Sequence, residues 1–285
     1  MALSGAHQEP VGSIGHERFS GEGTSKFKRA AQDLSHSLKL TEIWVFLGFE
    51  DIIARYKMTL LGPLWNAAFI VAQALALSIV FGAVFKSPIA LTMPYILSGM
   101  LAWQLGPLSV LDSSGLLLGV AGTIKSQNLP YILQVFRNSL RNFLIFLHNI
   151  VALLIIFPMF GHMPIINWTI VFAVPAIVLA STPYMLVVAI VCARFRDVQM
   201  LIMNFSPVLF FLTPVFWNPD LVGGRRSAMV MYNPLTYMVD LVRKPLLNLY
   251  PTMMDWIVVG GIFGVGLILA ILVFVPSRSK IPHWV

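Results

Sequence analysis

From Trp65 to Phe85 this chain is predominantly apolar and free of charge, and five further stretches of about twenty residues are similarly apolar. A helix needs about 20 apolar residues to cross a hydrocarbon core about 30 Å thick. The spans expected are 65–85, 95–118, 141–160, 169–192, 200–217 and 256–275. They account for most of the 285 residues and leave little for a soluble domain. The fold class that follows is an all-α polytopic membrane protein with six transmembrane helices per subunit. An N-terminal amphipathic helix at the interface and re-entrant outer helices between spans five and six complete it.

Composition agrees. Hydrophobic residues make up 58% of the chain and charged residues 11%, against about 25% charged in soluble domains. The formal charge of +7 in a soluble chain would point to nucleic acid. In a polytopic chain it reflects the Lys and Arg that hold cytoplasmic loops inside, so no nucleic-acid partner is expected. The lone cysteine, Cys192, excludes an internal disulfide and a multi-cysteine metal site; at a helix end it reads as a packing thiol. Residues near Met1 form no apolar core, so no cleavable signal peptide is expected.

Residues 1–40 read as a mobile cytoplasmic tail, in which Gly12, Gly15, Gly21 and Gly23 alternate with charged and hydroxyl residues. Its cluster Lys26, Lys28, Arg29 suits either an anionic inner leaflet or plain solvation. The transmembrane domain is assigned to 41–285. Within it, 41–58 reads as an amphipathic helix on the membrane surface: Val45, Phe49, Ile52 and Tyr56 share a face, while Asp51 and Arg55 are spaced for an i,i+4 ion pair. Leu61-Gly62-Pro63-Leu64-Trp65 then turns into the first span. With both termini inside, fourteen of the nineteen basic residues fall on the cytoplasmic side, as the positive-inside rule requires. The outer segment 218–254 is punctuated by Asn218-Pro219, Gly223-Gly224 and Asn233-Pro234. Met229–Tyr232 and Leu235–Leu249 are too apolar for a solvated loop, which points to short helices dipping into the outer leaflet.

Chemistry-bearing motifs are scarce. Gly122-Thr123-Ile124-Lys125-Ser126 lacks the second glycine of a phosphate-binding loop, and no Ser/His/Asp arrangement is present, so no catalytic residue, metal ligand or cofactor is expected in this chain. The intramembrane polar candidates are Asp112, His148 and Asn149. An acid within a span is a functional candidate by default, whereas His148 beside Asn149 fits either a packing hydrogen bond or a proton relay. Gly260 and Gly264 form a G-x-x-x-G of the kind that lets helices pack closely. The stretch from Gly119 to Asn142 is too long for a simple turn. A short helix there, with an apolar patch of Ile132, Leu133 and Phe136, would face a soluble partner; a solvated extension of the third span is the alternative. Trp44, Trp65, Trp103, Trp168, Trp217 and Trp256 fall where an aromatic belt at the membrane faces would place them.

Read in order, several segments resemble a known family. Glu50-Asp-Ile-Ile-Ala-Arg-Tyr-Lys-Met-Thr-Leu-Leu-Gly-Pro-Leu-Trp65 is similar to the entry segment of ABC-2-type permeases that export lipid-linked polysaccharides, with its R-D-I-x-x-R-Y-(R/K)-x-(S/T)-x-L-G-P-x-W pattern. Leu140–Asn149, Cys192–Asp197, Phe210–Trp217, Asn233–Tyr237 and Ile281–Val285 fit the same group. Glu50 departs from the pattern, which usually has a basic residue there. The resemblance implies a homodimer in the bacterial cytoplasmic membrane, working with two copies of a separate ATPase that carries the ATP and magnesium. The implied cargo is a polysaccharide on undecaprenyl diphosphate, as in O-antigen export. It further implies that 41–58 is a gate helix whose Arg55, Tyr56 and Lys57 meet the diphosphate headgroup. The loop holding Ile124, Lys125, Gln127, Asn128, Leu129 and Pro130 would then be the coupling helix that docks on the ATPase. A teichoic acid exporter is the near alternative. An ATP-independent flippase relaying protons through Asp112 and His148 is the more distant one.

Overall fold

The structure, a computed structural model, describes residues 26–59, 62, 64–126, 129–163, 165–219 and 227–285. Every regular element among them is helical, as expected where hydrocarbon leaves backbone polar groups no partner outside their own helix. In chain order these are α1 (Lys26–Lys39), α2 (Thr41–Tyr56), α3 (Leu64–Phe85), α4 (Ile89–Gly119, an irregular helix), α5 (Ala121–Ser126) and α6 (Tyr131–Met159). Then follow α7 (Ile170–Arg194), α8 (Arg196–Leu212), α9 (Ser227–Tyr232), α10 (Pro234–Leu246), α11 (Met253–Ser277) and α12 (Ile281–Trp284).

Five of these, α3, α4, α6, α7 and α11, are long and apolar enough to cross a membrane. The expected span at 200–217 falls on α8, which has 17 residues and stops at Leu212. Pro214 disfavours a helical conformation at the residue before it, and Thr213 is extended, at φ −90° and ψ 137°. At 1.5 Å per residue α8 is about 26 Å long, a little short of a hydrocarbon core.

The central element is α4. It is α-helical from Ile89 to Trp103, tightens and loosens through a π turn at Gln104–Leu108 and a 3-10 turn at Ser113–Gly115, and ends at Gly119. Pro107 interrupts the regular backbone ladder here. Hydroxyls then serve the backbone carbonyls of this stretch: Ser109 Oγ donates to Gly106 O at 2.6 Å, and Ser113 Oγ to Val110 O at 2.6 Å. Around α4 lies the main core, including Leu97, Leu101 and Leu105 with Phe146, Leu153, Ile177, Val239 and Val242.

The short outer helices expected from the sequence form as α9 and α10. Asn233 caps α10, its side chain accepting from Leu235 N, with Pro234 at the first helical position. The 13 residues of α10 reach only about 20 Å, so it packs among α4, α7 and α11 at one end of the bundle, the apical end, instead of crossing it. Both α6 and α10 stop in the same way. Gly161 (φ 78°) and Asn248 (φ 59°) take the left-handed position. The next amides, of His162 and Leu249, reach back to Phe157 O and Lys244 O, the double closure of a Schellman motif.

Several expectations change. The tail does not remain loose to residue 40: α1 packs on α6 and α11 with Ala30, Asp33 and Ser37 buried; residues 1–25 lie outside the described residues. The patch Ile132, Leu133, Phe136 faces inward: Ile132 and Leu133 are buried and Phe136 packs on Trp44. Trp103 is not in a belt but in the core, edge-on to Phe210 at 5.5 Å. Gly260 and Gly264 face open space, and the glycine used for close packing is Gly266, where a Cβ would lie 2.4 Å from the Tyr184 ring. The anticipated Asp51–Arg55 pair is replaced by one between helices. Arg137 on α6 donates through Nε to Asp51 Oδ2 at 2.7 Å and through Nη2 to Asp51 Oδ1, which docks α2 against α6.

Two substitutions probe this packing. Gly266→Ala is expected to lower unfolding stability by about 1–3 kcal/mol by displacing Tyr184, whereas Gly260→Ala stays near wild type; thermal unfolding in detergent reads both. Asp51→Asn leaves Arg137 without its carboxylate and is expected to cost about 1–3 kcal/mol. Limited proteolysis around α2 should speed up, and the reciprocal Asp51→Arg, Arg137→Asp exchange should slow it again.

Candidate functional site

Opposite α10, at what we term the basal end, α1, α2, α5 and α12 gather around the lower turns of α4, α6, α7 and α11. One carboxylate organises part of this end. Asp33 of α1 accepts from the amides of Tyr131 and Ile132 at the start of α6 (3.1 and 3.5 Å), and from the Arg278 guanidinium at the end of α11 (2.9 Å from Nη2). Burial pushes the Asp33 carboxyl above its usual range, while Arg278 and the two amides pull it down. Nearby, Arg194 lies 5.3 Å from the centre of the Trp284 ring and ties α12 to the end of α7.

Beside this clamp, a polar cavity of about 320 Å³ opens between α2, α4 and α6. Asp51, Asp112, Gln134, Arg137, Asn138 and Arg141 supply its side chains, and Gly115 and Gly119 leave the α4 wall low. The amphipathic pattern of α6 explains the cluster. Gln134, Arg137, Asn138 and Arg141 fall three or four residues apart and share one face, while Leu133 and Phe146 point into the cores on the other side. Arg137 is committed to Asp51, with Nη1 also reaching Gln134 Oε1 at 3.4 Å. Arg141 donates through Nη2 to Asn138 Oδ1 at 2.5 Å, but its buried Nε has no partner. Asp112 also lines a second cavity of about 260 Å³, which continues toward α8 past Gln199 and Ser206. Polar lining therefore runs from beneath α2 to the flank of α8.

The residues singled out from sequence fall in three places. Arg55 and Lys57 are exposed at the end of α2, and Tyr56 lines a small apolar cavity with Phe49, Ile52 and His148. Ile124 sits on α5, half-buried against the basal core, and Leu129 and Pro130 lead into α6; Gln127, Asn128 and the Lys125 side chain lie outside the described residues. Asp112 and His148 line different cavities. Asn149 is fully buried and stitches three helices, accepting from Asn66 at 3.2 Å and donating to Gln104 Oε1 at 2.7 Å. The polar face of α6 was legible as a spacing of Gln134, Arg137, Asn138 and Arg141, yet Arg137 and Arg141 lie in the 119–142 stretch expected to face a soluble partner. Among the described residues no group of His, Cys, Asp or Glu could hold a metal ion.

No family model matches the chain. Two curated relatives, both named O-antigen export system permease protein RfbA, from Klebsiella pneumoniae, align over 217 residues at 24% and 23% identity; each alignment covers 73% of this chain and 82% of the relative. With several helices long and apolar enough to cross a membrane, these permease relatives indicate a multi-pass membrane protein. They bear out the resemblance of this chain to polysaccharide export permeases, to which it is similar over most of its length.

Proposed function

We propose that the chain is the membrane-spanning permease subunit of an ABC exporter. It moves an undecaprenyl-diphosphate-linked polysaccharide across the bacterial cytoplasmic membrane and works as a homodimer with two copies of a separate cytoplasmic ATPase. The observation that carries this reading is the polar cavity with its arginines at the basal end, directly beside α2, in a chain similar to named O-antigen export permeases. The basal end is the cytoplasmic one, because the basic residues of α1, α2, the start of α6 and the end of α11 collect there. Both termini are cytoplasmic. At the opposite end, α9 and α10 form a re-entrant closure of the path.

Physical chemistry assigns the parts. A diphosphate carried on a lipid travels at the headgroup level, where Arg55 and Lys57 are exposed to meet it and Tyr56 stands beside them. The apolar residues Phe46, Phe49 and Ile53 are exposed on the same helix and suit contact with the lipid chain. Energy enters elsewhere: the sequence has no phosphate-binding loop, so ATP and magnesium belong to the partner. The segment of α5 and the residues up to Pro130 docks on it. The teichoic acid alternative uses the same parts with another polymer. The proton-driven flippase draws no support from Asp112 and His148, which face separate cavities.

Deleting the gene is expected to leave undecaprenyl-linked glycan inside the cell. Export restored without any ATPase subunit would overturn the reading. Arg55→Ala is expected to lower export roughly ten-fold, the effect of losing one charge-assisted contact of about 1.5 kcal/mol, while the ATPase still co-purifies. Replacing Ile124 to Pro130 with a Gly/Ser linker is expected to separate ATP hydrolysis from export. Undiminished ATPase capture and substrate-stimulated hydrolysis would rule out the docking role.

A further inference from the structure

We propose that the cavity between α2, α4 and α6 is a phosphoryl-binding site, with Arg141 as its principal donor and Asp112 as an opposing charge that keeps the bound anion releasable. This deepens the export reading above and rests on it for the identity of the lipid.

The argument begins with unmet hydrogen-bonding capacity. Of the two arginines on this wall, Arg137 is saturated by the Asp51 carboxylate and Gln134. Arg141 has no ion pair; its only hydrogen-bond partner among the described residues is the neutral Asn138, and its Nε is buried with none. A buried donor left unpaired costs about 1–3 kcal/mol, more when it is charged. Arg141 lines the cavity, so an anion there meets the guanidinium and compensates its charge. A guanidinium offers parallel N–H donors that match two oxygens of a phosphoryl group.

The surroundings fit such a ligand and not a bare cation. With Asp51 consumed by Arg137, the remaining charges near the cavity are Arg141, Arg55 and Asp112, a net positive set. Among the described residues Asp112 has no hydrogen-bond or ion-pair partner within contact distance, yet it lines the same space. It weakens anion binding by repulsion, as transport requires of a site that must also empty. Gly119 has open space where a side chain would stand, so a headgroup can pass along α4. Phe46, Phe49 and Ile53 are exposed on α2, the helix whose Asp51 lines the cavity, and give an attached lipid chain somewhere to remain.

The test uses the full-length chain in detergent with farnesyl diphosphate, farnesol and inorganic pyrophosphate as probes, read by thermal shift and calorimetry. Farnesyl diphosphate is expected to stabilise the wild type and farnesol to do little. Arg141→Gln should lose at least ten-fold in affinity without a lower unliganded melting point, since it removes an uncompensated charge. Arg141→Lys should lose several-fold, retaining charge but not the fork. Asp112→Asn should bind as tightly as wild type or more so. Pyrophosphate binding as tightly as farnesyl diphosphate, with the same Arg141 dependence, assigns the site to a soluble phosphate; weaker pyrophosphate binding assigns it to a lipid headgroup. Farnesyl diphosphate binding unchanged in Arg141→Gln, or lost equally in Asp112→Asn, overturns the proposal. Gene-dependent glycan export that persists at wild-type rate in Arg141→Gln removes the site and leaves the export reading standing. Arg141-dependent binding in a protein whose deletion leaves export intact does the reverse.

Discussion

A polar group inside an apolar phase must find its partner within the protein, and the arrangement of this chain follows from that requirement. Where α4 leaves regular helix, Gln104 opens the π turn and accepts from Asn149, which in turn accepts from Asn66. That chain of amides joins α3, α4 and α6 at the depth where lipid offers nothing. At the apical end Arg243 is almost fully buried. It donates to Pro214 O at 2.6 Å, lies 4.4 Å over the Tyr95 ring and reaches Asp240 at 3.4 Å. Lys244 meets Asp255 at 2.6 Å, and Asp255 closes a capping box with Thr252 at the start of α11. These bonds seat α10 in the bundle, and its 13 residues stay there because their charges are held on that side.

The two ends of the molecule therefore use charge differently. Apical charges are ion-paired in holding elements together, although Arg243 also keeps Nε and Nη1 buried without a hydrogen-bond partner. At the basal end Asp33 and Asp51 bind structural partners, while Arg141 and Asp112 line a cavity and, among the described residues, neither has an ion-pair partner within contact distance. A pinned charge can stabilise a fold but has nothing left for a ligand. An open one costs stability and is available.

How far the amino-acid order revealed this depends on the length scale of each signal. Apolar runs are local and long, so α3, α6, α7 and α11 were legible from composition alone. The end of α8 was less so, because the extended conformation of Thr213 ahead of Pro214 cuts an apolar run that continues to Trp217. Capping chemistry was present but unread, as in Thr252-x-x-Asp255. Pairings between distant segments were hidden. Asp51 has a helical neighbour at Arg55 and a true partner 86 residues away at Arg137, and no spacing rule distinguishes them. The same holds for Gly266, whose packing partner is Tyr184, while the more conspicuous Gly260 and Gly264 pair with nothing. Periodicity reports which face of a helix is apolar. It does not report which neighbour that face meets.

One consequence concerns α8. None of its residues is buried; Met200, Met203, Phe205 and Phe211 are all open, and Gln199 and Ser206 on the same helix line the polar cavity that Asp112 shares. A single copy thus leaves a polar lining and an apolar surface side by side on a helix too short to cross the membrane comfortably. Lipid satisfies the apolar residues but not Gln199, Ser206 or Asp112. The homodimer proposed above would give this flank a protein neighbour in place of lipid. Through Asp112 the cavity beneath α2 and the one beside α8 are consecutive parts of one polar surface.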